Sequence, residues 1–149
     1  MLPDWKITSF NELSATQLYA IMQLRNEVFV VEQNCVYQDA DNKDEASLHL
    51  AGWEGNKLVA YCRILPPGIA YNESSIGRVV VSADYRRFGY GRKLMQQAIE
   101  FSLEKFDCKK IKISAQCYLE KFYQSLGFIT ISESYLEDNL PHIKMQLAV

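Results

Sequence analysis

What this 149-residue sequence lacks already narrows its class. No apolar run approaches the roughly 20 residues that a helix needs to cross a bilayer, so no membrane role is expected. The four cysteines, Cys35, Cys62, Cys108 and Cys117, form no Cys-x-x-Cys pair and no zinc-type spacing. There are only two histidines, and no metal site is expected. There is no Pro/Gly/Ser-rich linker, internal repeat or low-complexity tract, so residues 1–149 read as one domain. Excess positive charge is also missing. Sixteen Lys and Arg stand against eighteen Asp and Glu, a net charge of -2 that draws the chain neither to nucleic acid nor to an anionic membrane. Met1–Lys6 has neither the basic nor the apolar region of a secretion signal, which, with the unpaired thiols, gives the expectation of a cytoplasmic protein. What remains is ordinary globular composition, 48% hydrophobic and 23% charged, in a chain long enough to bury a substantial core.

The pattern of residues then predicts elements. Trp5–Phe10 reads as a short edge strand. Ser14-Ala-Thr-Gln17 reads as a capping box opening a helix to about Val30, whose apolar residues Leu18, Ile21, Met22, Val28 and Phe29 recur at helical spacing. Arg25 lies on that apolar stripe, where a charge must be paired or face a cavity. A polar loop with Asp39, Asp41, Asp44 and Glu45 follows. Leu48–Trp53 and Leu58–Leu65 read as a hairpin, and Ser75–Ser82 as a central strand buried on both faces through Val79, Val80 and Val81. A helix is predicted from about Gly91 to Phe106, a strand over Lys110–Ala115, and a short helix over Tyr118–Leu126 ended by Gly127. Phe128–Ser134 and Ile143–Leu147 read as a closing strand pair. The fold class is α/β (α+β): a mixed sheet with helices on its faces.

The segment Val79-Val-Val-Ser-Ala-Asp-Tyr-Arg86-Arg87-Phe88-Gly89-Tyr90-Gly91-Arg92-Lys93 carries the most chemistry. Two glycines open a helix, giving ligands access to main-chain N–H groups at the positive end of its dipole. Arg92 and Lys93 in the first turn oppose that dipole unless an anion joins them. The Gly-Lys-Ser/Thr of a nucleotide-binding P-loop is missing, and the third glycine of the dinucleotide fingerprint is replaced by Leu94.

Arg86-Arg-Phe-Gly-Tyr-Gly91 resembles the Arg/Gln-x-x-Gly-x-Gly/Ala pyrophosphate loop of the GCN5-related N-acetyltransferases (GNAT). Val79-Val80-Val81 resembles that family's fourth strand. Gln116-Cys-Tyr-Leu-Glu-Lys-Phe122-Tyr123-Gln-Ser-Leu-Gly127-Phe128 resembles its Asn-x-x-Ala-x-x-Phe-Tyr-x-x-x-Gly-Phe segment, with Gln116 for Asn and Leu119 for Ala. Leu24-Arg25-Asn-Glu-Val-Phe29-Val-Val-Glu32-Gln33-Asn34, Gly77–Val81 and Pro141-His142-Ile143-x-Met145 are similar to the ElaA-like subfamily. The resemblance implies the GNAT acyltransferase fold, a twisted mixed sheet of about six or seven strands with helices on both faces.

It also implies acetyl-CoA as co-substrate and an amine acceptor that attacks the thioester directly in a ternary complex. Val79, Val80 and Val81 would pair with the pantetheine arm, and Val80 or Val81 would polarise the thioester carbonyl. The stretch Arg86, Arg87, Phe88, Gly89, Tyr90, Gly91 and Arg92 would hold the phosphates, and Gln116 would lie near the pantetheine. Tyr123 would be the general acid at the sulfur. For the base, the candidates are Glu32, His49 and His142, or water relayed from backbone carbonyls. Arg25, Arg63 and Arg78, with Glu32 and His49, are candidate acceptor-binding residues. For the three arginines, forked contacts to an anionic substrate and structural ion pairs with Asp39, Asp41, Asp44 or Glu45 are both open. Two other functions remain open: acyl transfer like that of acyl-homoserine-lactone synthases, and a non-catalytic acyl-CoA-binding module. A homodimer is also open.

Overall fold

The computed structural model describes residues 2–149. In chain order the elements are β1 (Asp4–Ser9), α1 (Ala15–Arg25), β2 (Leu48–Glu54), β3 (Lys57–Leu65), β4 (Ser75–Val81), α2 (Tyr90–Lys105), β5 (Lys110–Gln116), α3 (Glu120–Gln124), β6 (Ile129–Thr130), β7 (Tyr135–Glu137) and β8 (Leu140–Ala148). The first four strands form one antiparallel sheet in the order β1-β2-β3-β4. A second has the order β5-β8-β6, with β7 also paired to β8. Among the described residues there are eight strands, two of them of three residues or fewer, against the six or seven expected. The mixed character rests on one parallel bridge, Ser74 to Ile111, supported by Lys112 N–H donating to Ser74 O (3.0 Å). Past that bridge β4 and β5 have no ladder between them, and the two sheets separate into a cleft.

Alternation along the strands decides which helix covers which face. Leu50, Val59, Cys62 and Ile64 point into the main core with Leu94, Met95 and Ala98 of α2, and with Ile111, Ile113, Phe128, Ile143 and Met145 of the second sheet and its approach. Ala51, Tyr61 and Val80 point the other way, onto Ile21 and Leu24 of α1 and Val28 beyond it. The first sheet is therefore packed on both faces.

The predicted capping box opens α1: Gln17 N–H donates to Ser14 Oγ (3.1 Å) and Ser14 N–H to Gln17 Oε1 (2.9 Å). Beyond Arg25 the helix widens into a π-helical stretch, Asn26–Glu32, rather than ending near Val30 as an α-helix. Gln33 N–H reaches Val28 O (3.1 Å) and Cys35 N–H reaches Val30 O (3.0 Å), both five residues back.

The closing strands also differ from expectation. Phe128–Ser134 is not one strand. Lys144 N–H is taken by the Ser132 hydroxyl (2.8 Å), a side-chain bond where a ladder would need a carbonyl, and the regular strand stops at Thr130. The chain then makes an additional hairpin, β7–β8, around Asp138 (φ 51°) and Asn139 (φ 64°). Positive φ at both central residues suits a two-residue hairpin turn, and Asp and Asn tolerate it best after glycine.

Candidate active site

The cleft is built around an irregularity in β4. Tyr61 pairs with Val80 and Arg63 with Gly77, so two residues of β4, Arg78 and Val79, stand opposite the single Cys62. Arg78 takes φ 52°, a left-handed conformation seldom used by a long side chain, and such bulges re-aim main-chain groups. No strand pairs with the other edge of Ser75–Val81 among the described residues. The expectation of a central strand is corrected accordingly: Ser75–Val81 is the edge of its sheet, though both its faces are packed. Val80 is buried, but Val79, which lines the cleft, and Val81 are only partly so.

At the upper end of that edge stands the N-terminus of α2. Its N-cap is Gly89 at φ 79°, a conformation that favours glycine, and the helix has no capping side chain. Lys93 N–H donates to Gly89 O (3.1 Å), and the N–H groups of Gly91 and Arg92 lie ahead of it at the positive end of the helix dipole. Arg87, at φ 74°, and the exposed Phe88 form the turn, with the Phe88 ring 5.8 Å from Tyr90. Arg92 is turned away from the turn: it donates to Ser125 Oγ (2.6 Å) and lies over the Phe122 ring (5.7 Å). Arg86 Nε donates to Val81 O (3.1 Å), while its other nitrogens make a forked pair with Glu32 (2.8 and 3.0 Å).

Between the sheets lies a cavity of about 490 Å³. Val79, Gly77 and Arg78 form one wall; Ser114, Gln116, Leu119 and Tyr123 form the other; Glu137, Leu140 and His142 close it below. Tyr123 is buried between Phe122 and Phe128 in edge-on contacts, and burial pushes its phenol well above the ordinary value. The hydroxyl is thus protonated at neutral pH and able to donate. Gln116 Nε2 donates to Gln33 Oε1 (3.3 Å), joining the second sheet to the end of the π-helical stretch. His142 is buried too. Its Nδ1 donates to Leu140 O (2.7 Å), which leaves Nε2 as the basic nitrogen, 3.5 Å from Glu137 Oε2.

The three arginines meet the acidic loop. Arg25, fully buried, donates from Nε to Asp39 Oδ2 (2.7 Å) and from Nη1 to Asp44 Oδ1 (2.7 Å). Arg63 forks onto Asp41 (2.7 and 2.5 Å) and reaches Asp44 (3.0 Å). Arg78 sets Nε 2.8 Å from Asp39 Oδ1 and donates to Asp39 O (3.0 Å). Burial alone would raise the carboxyls of Asp41 and Asp44. For Asp41 the arginines Arg63 and Arg78 outweigh it, for Asp44 the arginines Arg25 and Arg63, and both are held below the ordinary carboxylate range.

The structure therefore separates the candidate acceptor-binding residues. Arg63 and Arg78 line the cavity, though their guanidinium groups are engaged by aspartates. Arg25 does not reach it, being enclosed with its two carboxylates. Nor does His49, which is buried with its ring nitrogens bonded to Tyr61 Oη (2.7 Å) and Asp44 O (3.0 Å), and whose charged form burial disfavours. Glu32 is outside the cavity lining and paired with Arg86. Of the candidate bases, His142 alone borders the cavity. Sequence reasoning missed Glu137 and Ser114, which join it there, and Tyr135, whose ring stacks on the imidazole. The Asp138-Asn139 dipeptide before the alternating Leu140–Leu147 run was the available hairpin clue. No cluster of three or more His, Cys, Asp or Glu residues suited to a metal occurs among the described residues, and no helix is long and apolar enough to cross a membrane.

This arrangement, an open bulged strand edge facing an uncapped helix N-terminus, agrees with comparison to known proteins. The acetyltransferase (GNAT) domain profile matches residues 12–149. The chain belongs to the GNAT acetyltransferase family. Protein ElaA of Escherichia coli is 44% identical over 144 residues, 95% of this chain and 94% of ElaA. The ElaA crystal structure superposes with a TM-score of 0.91 over 99% of both chains. The crystal structure of an acyl-CoA N-acyltransferase from Pseudomonas aeruginosa gives 0.93 at 40% identity, covering 99% of this chain and 100% of that one. The chain is thus a GNAT acyltransferase of the ElaA-like subfamily. The CoA-dependent acyl-homoserine lactone synthase BjaI, at 17% identity and a TM-score of 0.80 over 99% of this chain and 83% of its own, shares the fold alone.

Proposed function

We propose that this protein transfers an acetyl group from acetyl-CoA to an amine by direct attack in a ternary complex, acting as one domain over residues 1–149. The observation that carries this reading is the unpaired edge of β4 at the Arg78 bulge, ending at the Gly89 N-cap of α2. An extended pantetheine arm would add to that edge as a strand does, through Val79–Val81, and carry the pyrophosphate to the N–H groups of the Arg87–Arg92 turn. Arg87 supplies charge at that turn, and Arg86 and Arg92 would add theirs on release from Glu32 and Ser125. A main-chain N–H of Val80 or Val81 would take the thioester oxygen and stabilise the tetrahedral oxyanion.

Tyr123 is the proton donor to the leaving sulfur in this reading, supported by its place in the cavity wall and by its protonated phenol. His142 is the base, supported by its basic Nε2 in the same cavity. Tyr123→Phe is expected to lower kcat by roughly 10²–10⁴-fold while acetyl-CoA affinity stays within about twofold. Thiol-release kinetics and calorimetric titration with acetyl-CoA read the two quantities separately. A variant with full turnover removes Tyr123 from the chemistry.

A further inference from the structure

The side chain of Arg86 lies at the upper end of the cleft and holds two acceptors at once. Ser82 N–H donates to Val59 O of β3 (2.8 Å). In a trans peptide the carbonyl opposes the N–H, so Val81 O of the same unit points away from β3, to the open edge of β4. Arg86 Nε donates to this carbonyl (3.1 Å). Its other two nitrogens fork onto the two oxygens of Glu32, at 2.8 and 3.0 Å. One guanidinium thus joins the strand edge, the basic turn and the end of the π-helical stretch.

Glu32 is presented from a segment that is itself anchored. Gln33 N–H and Cys35 N–H bond to Val28 O and Val30 O. Gln33 Oε1 accepts from Gln116 of β5, and Cys35 Sγ donates to Asp138 O in the β7–β8 turn (3.1 Å). Among the described residues, Arg86 is the one cation of the basic turn, with Arg87, Arg92 and Lys93, that pairs with a carboxylate. The two side chains are 41% and 43% exposed, so the pair can part without opening the core. A guanidinium fits a carboxylate and a phosphate with the same fork. An exposed ion pair is weak, and a diphosphate carries more charge than a carboxylate.

We infer that Glu32 is an intramolecular competitor of the acyl-CoA phosphates for Arg86, a latch that sets the affinity of the cofactor seat. The inference rests on the acetyl-CoA reading of that seat. Binding exchanges one forked contact for another: Arg86 leaves the carboxylate and meets the pyrophosphate, and Glu32 passes to water. The same movement frees Val81 O for an amide N–H of the pantetheine arm. Glu32 acts here outside the chemical step, in keeping with its place outside the cavity lining.

A double-mutant cycle on the intact protein, read by calorimetric titration with acetyl-CoA, tests the latch. Glu32→Gln should tighten binding about two- to fivefold. Arg86→Gln should weaken it. In the Arg86→Gln background, adding Glu32→Gln should change Kd by less than about 1.3-fold, since no guanidinium remains to be released. An equal gain in both backgrounds would mean that only a nearby negative charge had been removed, and overturns the latch. So does unchanged or weaker binding in Glu32→Gln alone. Both side chains are at the surface, and urea midpoints close to that of the parent protein check that each variant is folded. If none of the four proteins binds acetyl-CoA, the acetyl-CoA reading falls and the latch with it; binding without the expected coupling defeats the latch alone.

Discussion

Arg25 shows how a single side chain can be read for two purposes. Its place on the apolar stripe of α1 requires a partner, and the partners are Asp39 and Asp44, which tie the loop before β2 to the core. A buried ion pair adds little over a well-packed apolar pair, yet removing one member leaves an uncompensated charge. Arg25→Met should therefore cost roughly 3–5 kcal/mol in urea unfolding while leaving acetyl-CoA affinity per folded molecule intact. The same network predicts a pH dependence. Asp41 and Asp44 are held below the ordinary carboxylate range, so their contribution is in place above about pH 4 and is lost progressively as pH falls below it. Urea midpoints at pH 7, 4 and 3 should fall steeply only in the last interval, and an Asp41→Asn variant should flatten that fall. The need for a partner at Arg25 was visible in the sequence because helical spacing placed it. The choice of Asp39 and Asp44 was not, because loop residues carry no periodicity. Nor did the sequence separate His49, bonded within the core, from His142, bordering the cavity: both lie on strands, whose period of two does not say what each face meets.

At the level of elements, the parts that carry the cofactor reading were legible: the capping box of α1, the hairpin β2–β3, and the strand–turn–helix from β4 to α2 follow from local rules. The π-helical widening was not, since Val28 and Phe29 fit a 3.6-residue period as well as the wider turn. The bulge at Arg78 escaped too, because it is set by the register of β3 against β4 and not by any residue preference. Glu137 was missed with its hairpin, whose Asp138-Asn139 turn lacks the glycine that usually announces one. The two glycines of the basic turn, alike in sequence, differ in structure. A Cβ on Gly89 would meet open space but would have to adopt φ 79°, whereas Gly91 is helical and a Cβ there would make ordinary contacts with Val81 and Phe122 at 3.7 and 4.0 Å. Gly89→Ala should thus lose about 1–2 kcal/mol through backbone strain, and Gly91→Ala should lose nothing in the unliganded protein. Thermal and urea unfolding of the two variants make the comparison; equal losses would place the strain elsewhere.

Across the whole molecule, the two sheets share one core but separate past Ser74 and Ile111, and that separation makes the cleft. The net charge of -2 gave no hint of it, whereas the local basic excess around Gly89 marked one end. The cleft joins an edge suited to an acyl-CoA arm with a cavity bordered by the Tyr123 phenol and the His142 imidazole. A binding module needs only the first of these. The most direct measurement is thiol release from acetyl-CoA by the intact protein across a broad panel of primary amines, with an acetylated carrier protein as the competing donor. Amine-dependent release from acetyl-CoA is expected, falling by roughly 10²–10⁴-fold in Tyr123→Phe. Saturable binding of acetyl-CoA without release on any amine, or release only from the carrier-protein thioester, would contradict it.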